Sequence, residues 1–175
     1  MSTLPFLFES RRLGYREFSP EDAADLYRLN ADPEVIRYTG DPPFASEEEA
    51  HSFVLNYGSY RKYGYGRWSV ISKDNQAFLG WCGLKNIDGE IDLGYRFFRT
   101  AWGQGYATEA ARASIEYGFC RLGMSRIVGR VLPDNVASCK VLEKVGMKFT
   151  GIGKCKDMDG ALLYEIRRCS TSHPS

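Results

Sequence analysis

The sequence predicts an α/β fold: a mixed, mostly antiparallel sheet of roughly six to seven strands flanked by about four helices. Three observations carry this expectation. The run 90–98 is apolar and aromatic, and it leads through Gly103 and Gly105 into a long stretch with apolar residues at helical spacing. Turn signals at Asp74-Asn75, Asp88-Gly89 and Asp159-Gly160 separate other strand-like runs. Helix starts carry their own chemistry, a capping side chain followed by proline or acidic residues.

In chain order, residues 13–18 read as a first strand. Ser19-Pro20-Glu21-Asp22 then opens a helix, with Ser19 as N-cap, Pro20 at N1 and Asp22 at the positive end of the dipole. Leu26, Tyr27 and Leu29 form its apolar stripe. Asp32-Pro33 restarts a short helical turn through Ile36, and Gly40-Asp41-Pro42-Pro43 breaks the chain. Ser46 to Glu49 has the form of a capping box for a second helix, with apolar positions from Ala50 to Tyr60. Tyr57, Tyr60, Tyr63 and Tyr65 are expected to pack helix onto sheet with their hydroxyls in water. Residues 67–72 and 77–84 form a hairpin, and 90–98 is the central strand. The following helix buries a face rich in small residues: Ala107, Ala110, Ala111, Ser114 and Gly118. Residues 126–132 are another strand, ended by Pro133. Asn135 or Asp134 caps a last helix that stops at Gly146. Residues 147–152 and 162–167 pair across Asp159-Gly160.

At 175 residues the chain fits one domain, taken as 1–169, with 170–175 expected to be a disordered tail. A net charge of +1 gives no electrostatic case for nucleic acid or a membrane as partner. No apolar run approaches bilayer length and no basic, then apolar leader opens the chain, so the cytoplasm is the expected compartment. The five cysteines are scattered without C-x-x-C spacing, so neither a metal site nor a disulfide framework is expected. His51 and His173 are the sole histidines, one in a helix and one in a polar tail, and histidine chemistry is not expected.

A strand, a glycine turn and a helix start make an anion site. Gly103 and Gly105 let a ligand approach the backbone while the first helical N–H groups converge on it. A phosphate or pyrophosphate suits such a site, although an ordinary tight turn would use the same glycines. A dinucleotide fingerprint fails at Thr108, where its third glycine or alanine should stand, and no Gly-Lys-Ser/Thr makes a Walker loop.

Taken with 135–147, Asn-Val-Ala-Ser-Cys-Lys-Val-Leu-Glu-Lys-Val-Gly-Met, the loop resembles the GNAT superfamily of acetyl-CoA-dependent N-acetyltransferases. The likeness is greatest to the Rim-type branch, which includes ribosomal-protein N-terminal acetyltransferases. That family's phosphate signature, Gln/Arg-x-x-Gly-x-Gly/Ala, is matched by Trp102-Gly103-Gln104-Gly105-Tyr106-Ala107, with Trp102 as a variant first position. The stretch 9–22 also resembles that branch's first strand and helix, so the likeness covers nearly the whole chain.

The resemblance implies acetyl-CoA as co-substrate, an amine acceptor, and a monomer or homodimer, with no metal. It implies that the main chain at Phe97 and Phe98 hydrogen-bonds the pantetheine arm, and that N–H groups from Gly103 to Thr108 take the pyrophosphate. Lys140, with Lys144 one turn on, is placed for the nucleotide's 3′-phosphate. The family often carries a Tyr seven positions after the Asn to protonate the thiolate; here that position is Leu142. The Rim-type branch resembles N-x-x-S instead, which points to Ser138 as hydroxyl donor and to Asn135 as a cofactor contact or simply an N-cap. Asp92, sharing a strand face with Glu90, is the candidate base. With no strong base in reach, an α-amine with pKa near 8 is a better acceptor than a lysine amine near 10, by roughly 3 kcal/mol. A protein N-terminus is favoured over a polyamine, an amino acid or an antibiotic, or a binding module without turnover.

Overall fold

Alternating apolar residues on successive strands build one twisted sheet of eight strands. The computed structural model describes residues 4–170. The strands are β1 (Phe8–Glu9), β2 (Leu13–Arg16), β3 (Arg67–Ser72), β4 (Phe78–Ile87), β5 (Glu90–Phe97), β6 (Arg126–Val131), β7 (Lys148–Cys155) and β8 (Met158–Arg167), in the spatial order β1-β2-β3-β4-β5-β6-β8-β7. All neighbours are antiparallel except β5 and β6. The helices are α1 (Ala23–Ala31), α2 (Pro33–Ile36), α3 (Glu47–Leu55), α4 (Ser59–Tyr63), α5 (Tyr106–Cys120) and α6 (Val136–Lys144). Among the described residues no helix is long and apolar enough to cross a membrane, and no group of side chains could hold a metal ion.

The strand count exceeds the expected range by the short β1, whose two residues carry no period to detect. Two boundaries also move. The apolar spacing through Tyr60 suggests one helix, but Asn56 and Gly58 split it into α3 and α4. The last hairpin turns at Lys156-Asp157, with Lys156 at φ +54°, and Asp159-Gly160 lies inside β8. The part of the expected tail at 171–175 lies outside the described residues.

Period-two alternation divides the sheet into two faces. Cys82 and Leu84 of β4, opposite Tyr95 and Leu93 of β5, look toward α5. There Gly118 lets the helix settle onto the strands: a Cβ would meet Leu84 Cδ1 at 2.8 Å. Leu13, Trp68, Val70, Leu84 and Ile127 are almost wholly buried, each contributing about 1.5–3 kcal/mol. Trp81, Gly83 and Lys85 of β4, opposite Arg96, Gly94 and Asp92, look the other way, toward α1 and the loop after α2.

Two of the tyrosine hydroxyls, those of Tyr57 and Tyr60, are not in water. Tyr57 Oη accepts from the Arg67 N–H (2.8 Å); Tyr60 Oη accepts from the Phe18 N–H (3.0 Å) and donates to the Arg67 carbonyl. Burial pushes both phenols above their ordinary pKa. These neutral hydroxyls fix the backbone of Arg67, whose side chain crosses toward β5.

Candidate functional site

The glycine loop folds as an anion cradle. Gly103 and Gly105 stand at φ +72° and +80°, a region that L side chains resist. Gly105 is the N-cap of α5 and offers no capping side chain, so the first N–H groups of a fifteen-residue helix are left for a ligand. Nothing lies within 4 Å of a Cβ at Gly103. Gln104 Nε2 donates to Thr100 O (2.8 Å), closing the turn from behind.

A residue unmarked by any motif completes the cradle. Arg12 donates from NH1 to Gln104 O (2.9 Å), lies over the Tyr106 ring (4.3 Å) and comes within 3.4 Å of a Cβ at Gly105. Its main-chain N–H and Nε both donate to Glu109 (2.8 and 2.7 Å), and Ser10 Oγ donates there too (2.7 Å). Burial works against the Glu109 carboxylate, but these hydrogen bonds outweigh it and hold its pKa below the usual range. A fixed positive group therefore stands beside the free helix N-terminus. Lys140 is exposed on α6 and, among the described residues, has no ion-pair partner. Thr108 lies in the first turn of α5.

Beside the cradle the sheet comes apart. β5 and β6 pair through two positions only, Asp92 with Val128 and Leu93 with Gly129, and diverge beyond them. The Phe98 N–H donates to Leu79 O (3.0 Å), across a register that pairs Phe97 with Gly80 and Tyr95 with Cys82. By the antiparallel alternation, the main-chain groups of Phe97 and Tyr95 then point away from β4, into the opening. Phe98 differs from expectation: its N–H serves β4 and its carbonyl accepts from Ala101 N–H (2.9 Å), so both are occupied. The Phe97 carbonyl accepts from Trp102 Nε1 (2.9 Å), which gives Trp102 a role in shaping the opening.

On the far rim, the Asn135 side-chain carbonyl caps α6 by accepting from the Ser138 N–H (3.3 Å). Ser138 Oγ stands 2.7 Å from the Tyr95 hydroxyl, which also reaches the Ser138 carbonyl (3.1 Å). Burial drives the Tyr95 phenol above its ordinary pKa against the opposing Ser138 hydrogen bond, so it is a neutral proton carrier. Tyr95 was legible only as part of a strand. Leu142 is 2 % exposed, at the wall between the core and the cleft, and brings no proton donor there.

A cleft of about 840 Å³ runs through this gap to the other face of the sheet. Tyr95, Asn135 and Ser138 line one end; Trp81, Lys85 and Asp41 line the other. Between them, Asp92 is held by two guanidinium groups, Arg67 NH2 to Oδ2 and Arg130 NH1 to Oδ1, both at 2.8 Å. Gly94 is a glycine for space: a Cβ there would meet the Arg67 guanidinium at 2.6 Å. Glu90 shares Arg130 and also pairs with Arg126 (2.8 Å). At the far end Arg96 donates to Asn30 (2.7 Å) and Asp41 (2.7 Å), and Asp41 also pairs with Lys156. No cysteine suits nucleophilic work here: Cys82, whose thiol is pushed by burial to about 12, is sealed against Ser114.

Known proteins place the chain. The family described as Acetyltransferase (GNAT) domain matches residues 12–148. An uncharacterized N-acetyltransferase, p20, from Bacillus licheniformis is 33% identical over 147 residues, covering 82% of this chain and 83% of its own. Among solved structures, the ribosomal L7/L12 α-N-protein acetyltransferase RimL in complex with coenzyme A superposes with TM-score 0.78 at 19% identity, covering 90% of this chain and 95% of that one. Spermidine N-acetyltransferase from Vibrio cholerae, in complex with CoA and spermine, does so with TM-score 0.77 at 17% identity, covering 90% and 96%. At those identities the two structures speak for the fold alone. Together with the family match and the level of identity to p20, the sequence establishes that this chain belongs to the GNAT family of N-acetyltransferases.

Proposed function

We propose that the chain transfers the acetyl group of acetyl-CoA to a primary α-amine of a peptide or protein, the amine attacking the thioester directly. One observation carries the reading. A single cleft joins the divided strands, with a helix N-terminus beside it, to a polar chamber on the opposite face. A two-substrate reaction needs such an arrangement, because donor and acceptor must meet in line from two sides.

The residues fit the co-substrate. The uncapped start of α5 and the Arg12 guanidinium suit a pyrophosphate. The outward main-chain groups of Tyr95 and the Phe97 N–H suit amides added as a further strand, and the exposed Lys140 suits a peripheral phosphate. When bound, acetyl-CoA supplies the activated acyl group.

Ser138 donates its proton to the departing thiolate, and Tyr95 replenishes it. The Tyr95 hydroxyl has one proton and two acceptors, the Ser138 carbonyl and Oγ. Turning from the first to the second frees the Ser138 proton for the sulfur. Asn135 holds the turn in which Ser138 sits. We assign Asp92 to holding Arg67 and Arg130 rather than to taking the amine's proton, since both its oxygens already accept from guanidinium groups. Water in the cleft then takes the amine's proton and returns one to the Tyr95 oxygen, which restores the relay.

Thiol release from acetyl-CoA, measured against a peptide α-amine, a matched lysine ε-amine and a polyamine, tests the reading. Faster turnover of the α-amine at neutral pH is expected. A better rate on the ε-amine or the polyamine would overturn the acceptor assignment, and saturable acetyl-CoA binding without thiol release from any amine would overturn the activity.

A further inference from the structure

The acceptor end of the cleft is more cationic than the chain around it. The protein as a whole carries +1, yet six lysines and arginines line the cleft against four carboxylates. The two deepest of those carboxylates are committed. Asp92 answers Arg67 and Arg130, and Asp41 answers Arg96 and Lys156. Glu49 accepts from the Ala45 N–H at the start of α3, and Asp88, in the tight turn before β5, is exposed at the rim and, among the described residues, paired with no cation. Lys85 remains. It lies at the junction of the cleft with a neighbouring aromatic groove formed by Phe44, Phe53, Tyr57 and Tyr63. Among the described residues no carboxylate is within ion-pair distance of it. Deeper in, the Arg96 side chain is 8 % exposed, and its Nε–H has no hydrogen-bond partner. It and Arg67 lie on the Trp81 ring at 5.2 and 5.5 Å.

Such a chamber discriminates by charge. A polycation meets a surplus of like charge there, whereas an acid finds a free ammonium group. We propose that the acceptor carries a carboxylate within about two residues of the amine it presents, and that Lys85 receives this acid at the mouth of the cleft. The inference rests on the α-amine reading above and narrows it to acidic acceptors. The shared chemistry has two sources, the α-carboxylate of a free amino acid or an Asp or Glu near a peptide's N-terminus.

The same field bears on the missing base. Burial first, then Arg67 and Lys156, hold the Lys85 pKa below its ordinary value, against the opposing pull of Asp41 and Asp92. An acceptor ammonium entering the chamber experiences the same surplus. Its neutral, nucleophilic form is favoured by the cations of the chamber wall, so no dedicated carboxylate or histidine is needed. The acceptor's acid adds its own opposing charge, but it is bound outside, at Lys85.

The experiment compares kcat/KM for peptides that differ only in the second residue, Glu, Ala or Lys, with free amino acids and their amides alongside. The order Glu, then Ala, then Lys is expected, with roughly fivefold or more between the extremes. Free amino acids exceeding their amides would assign the acid to the α-carboxylate; a peptide-only preference would assign it to the side chain, and either upholds the proposal. Lys85→Glu should invert the peptide order, and salt near 1 M, where the Debye length is about 3 Å, should flatten it in the wild type. Equal kcat/KM for Glu and Lys peptides, or a wild-type order retained in Lys85→Glu, overturns the inference while leaving the α-amine reading intact. Turnover of a polyamine with none of any α-amine defeats that reading first.

Discussion

The two ends of the cleft are made in different ways. The cofactor end is made of backbone: glycines at positive φ, a helix N-terminus without a cap, and strand groups turned into a gap. The acceptor end is made of side chains drawn from four separate places: β3 (Arg67), β4 (Trp81, Lys85), the loop after α2 (Asp41) and the turn before β8 (Lys156). A backbone site is indifferent to most of its neighbours and fails when one conformation is forbidden. A side-chain site is a balance of charges and can be retuned one residue at a time. The first suits a co-substrate shared by a whole family, and the second suits an acceptor that differs between members.

The largest effect is expected where the two ends meet. Ser138→Ala removes a donor needed as charge develops on sulfur, so kcat should fall about 10²–10⁴-fold with little change in acetyl-CoA affinity. Tyr95→Phe should fall comparably, and the double variant should be no worse than the poorer single, as for two members of one relay. A kcat loss under about threefold in Ser138→Ala would leave Ser138 with only its place in the capped first turn of α6.

Gly105→Val tests the backbone end. Valine cannot hold φ +80° without strain, and its Cβ would approach the Arg12 guanidinium at 3.4 Å. Acetyl-CoA affinity by calorimetry should drop about 100-fold, or ~3 kcal/mol, with far-UV circular dichroism unchanged. Unchanged affinity in a folded Gly105→Val protein would remove the cradle from the site.

The same contrast decides what could be read in advance. Gly103, Gly105, Asn135 and Ser138 stand in short motifs whose spacing survives folding, and strands 90–97 and 126–131 follow from β-branched and aromatic runs bounded by turns. Arg12 and Tyr95 were not legible as site residues, because nothing near Arg12 in sequence mentions Gln104, 92 residues away. Tyr95 looks like any inward tyrosine on a strand until α6 is placed over it. The chamber charges were harder still, since Lys85 and Lys156 belong to different hairpins. Local errors had local causes. Asp159-Gly160 has hairpin-turn chemistry, yet Ala161, Tyr164 and their partners on β7 set a register that puts the turn earlier.

Asp92 sits on the line between the halves. Its side chain is 10 % exposed, between arginines that are 12 % and 16 % exposed. Breaking such a network leaves the buried Arg67 without its anion and Arg130 with Glu90 alone. Asp92→Asn should therefore cost about 3 kcal/mol or more, a fall of roughly 6–12 °C in Tm. The pH–rate limb should stay at the acceptor's own pKa. Selective loss of rate on the low-pH side, with Tm unchanged, would return Asp92 to proton transfer.

The smallest effects come from a matched pair of carboxylates, one at each end. Glu109 ties the start of α5 to the β1–β2 turn, and Asp41 ties the loop after α2 to β5 and the β7–β8 turn. In both, burial raises the pKa, and hydrogen bonds from cationic partners, with Ser10 and the Arg12 main chain added at Glu109, more than reverse it. A depressed folded pKa means stability that is present above the unfolded values of about 3.9 and 4.3, and lost as pH falls below them toward the folded values. At pH 7 Glu109→Gln and Asp41→Asn should thus both lower Tm, and the deficits should shrink as the wild type is titrated below about pH 4. Their sizes should differ. The Glu109 side chain is 17 % exposed and accepts three hydrogen bonds, worth about 1.5–3 kcal/mol with a charged acceptor. The Asp41 side chain is 38 % exposed, so solvent screening limits its ion pairs to about 1 kcal/mol or less. Function should separate them the other way: Glu109→Gln loosens Arg12 and weakens acetyl-CoA binding, whereas Asp41→Asn leaves Arg96 and Lys156 uncompensated and sharpens the preference for an acidic acceptor. Thermal melts from pH 7 to pH 3, with KM for each substrate, read both. Equal Tm deficits, or an Asp41→Asn protein that turns over acidic peptides less readily than wild type, would show that the two ends of the cleft are not independent.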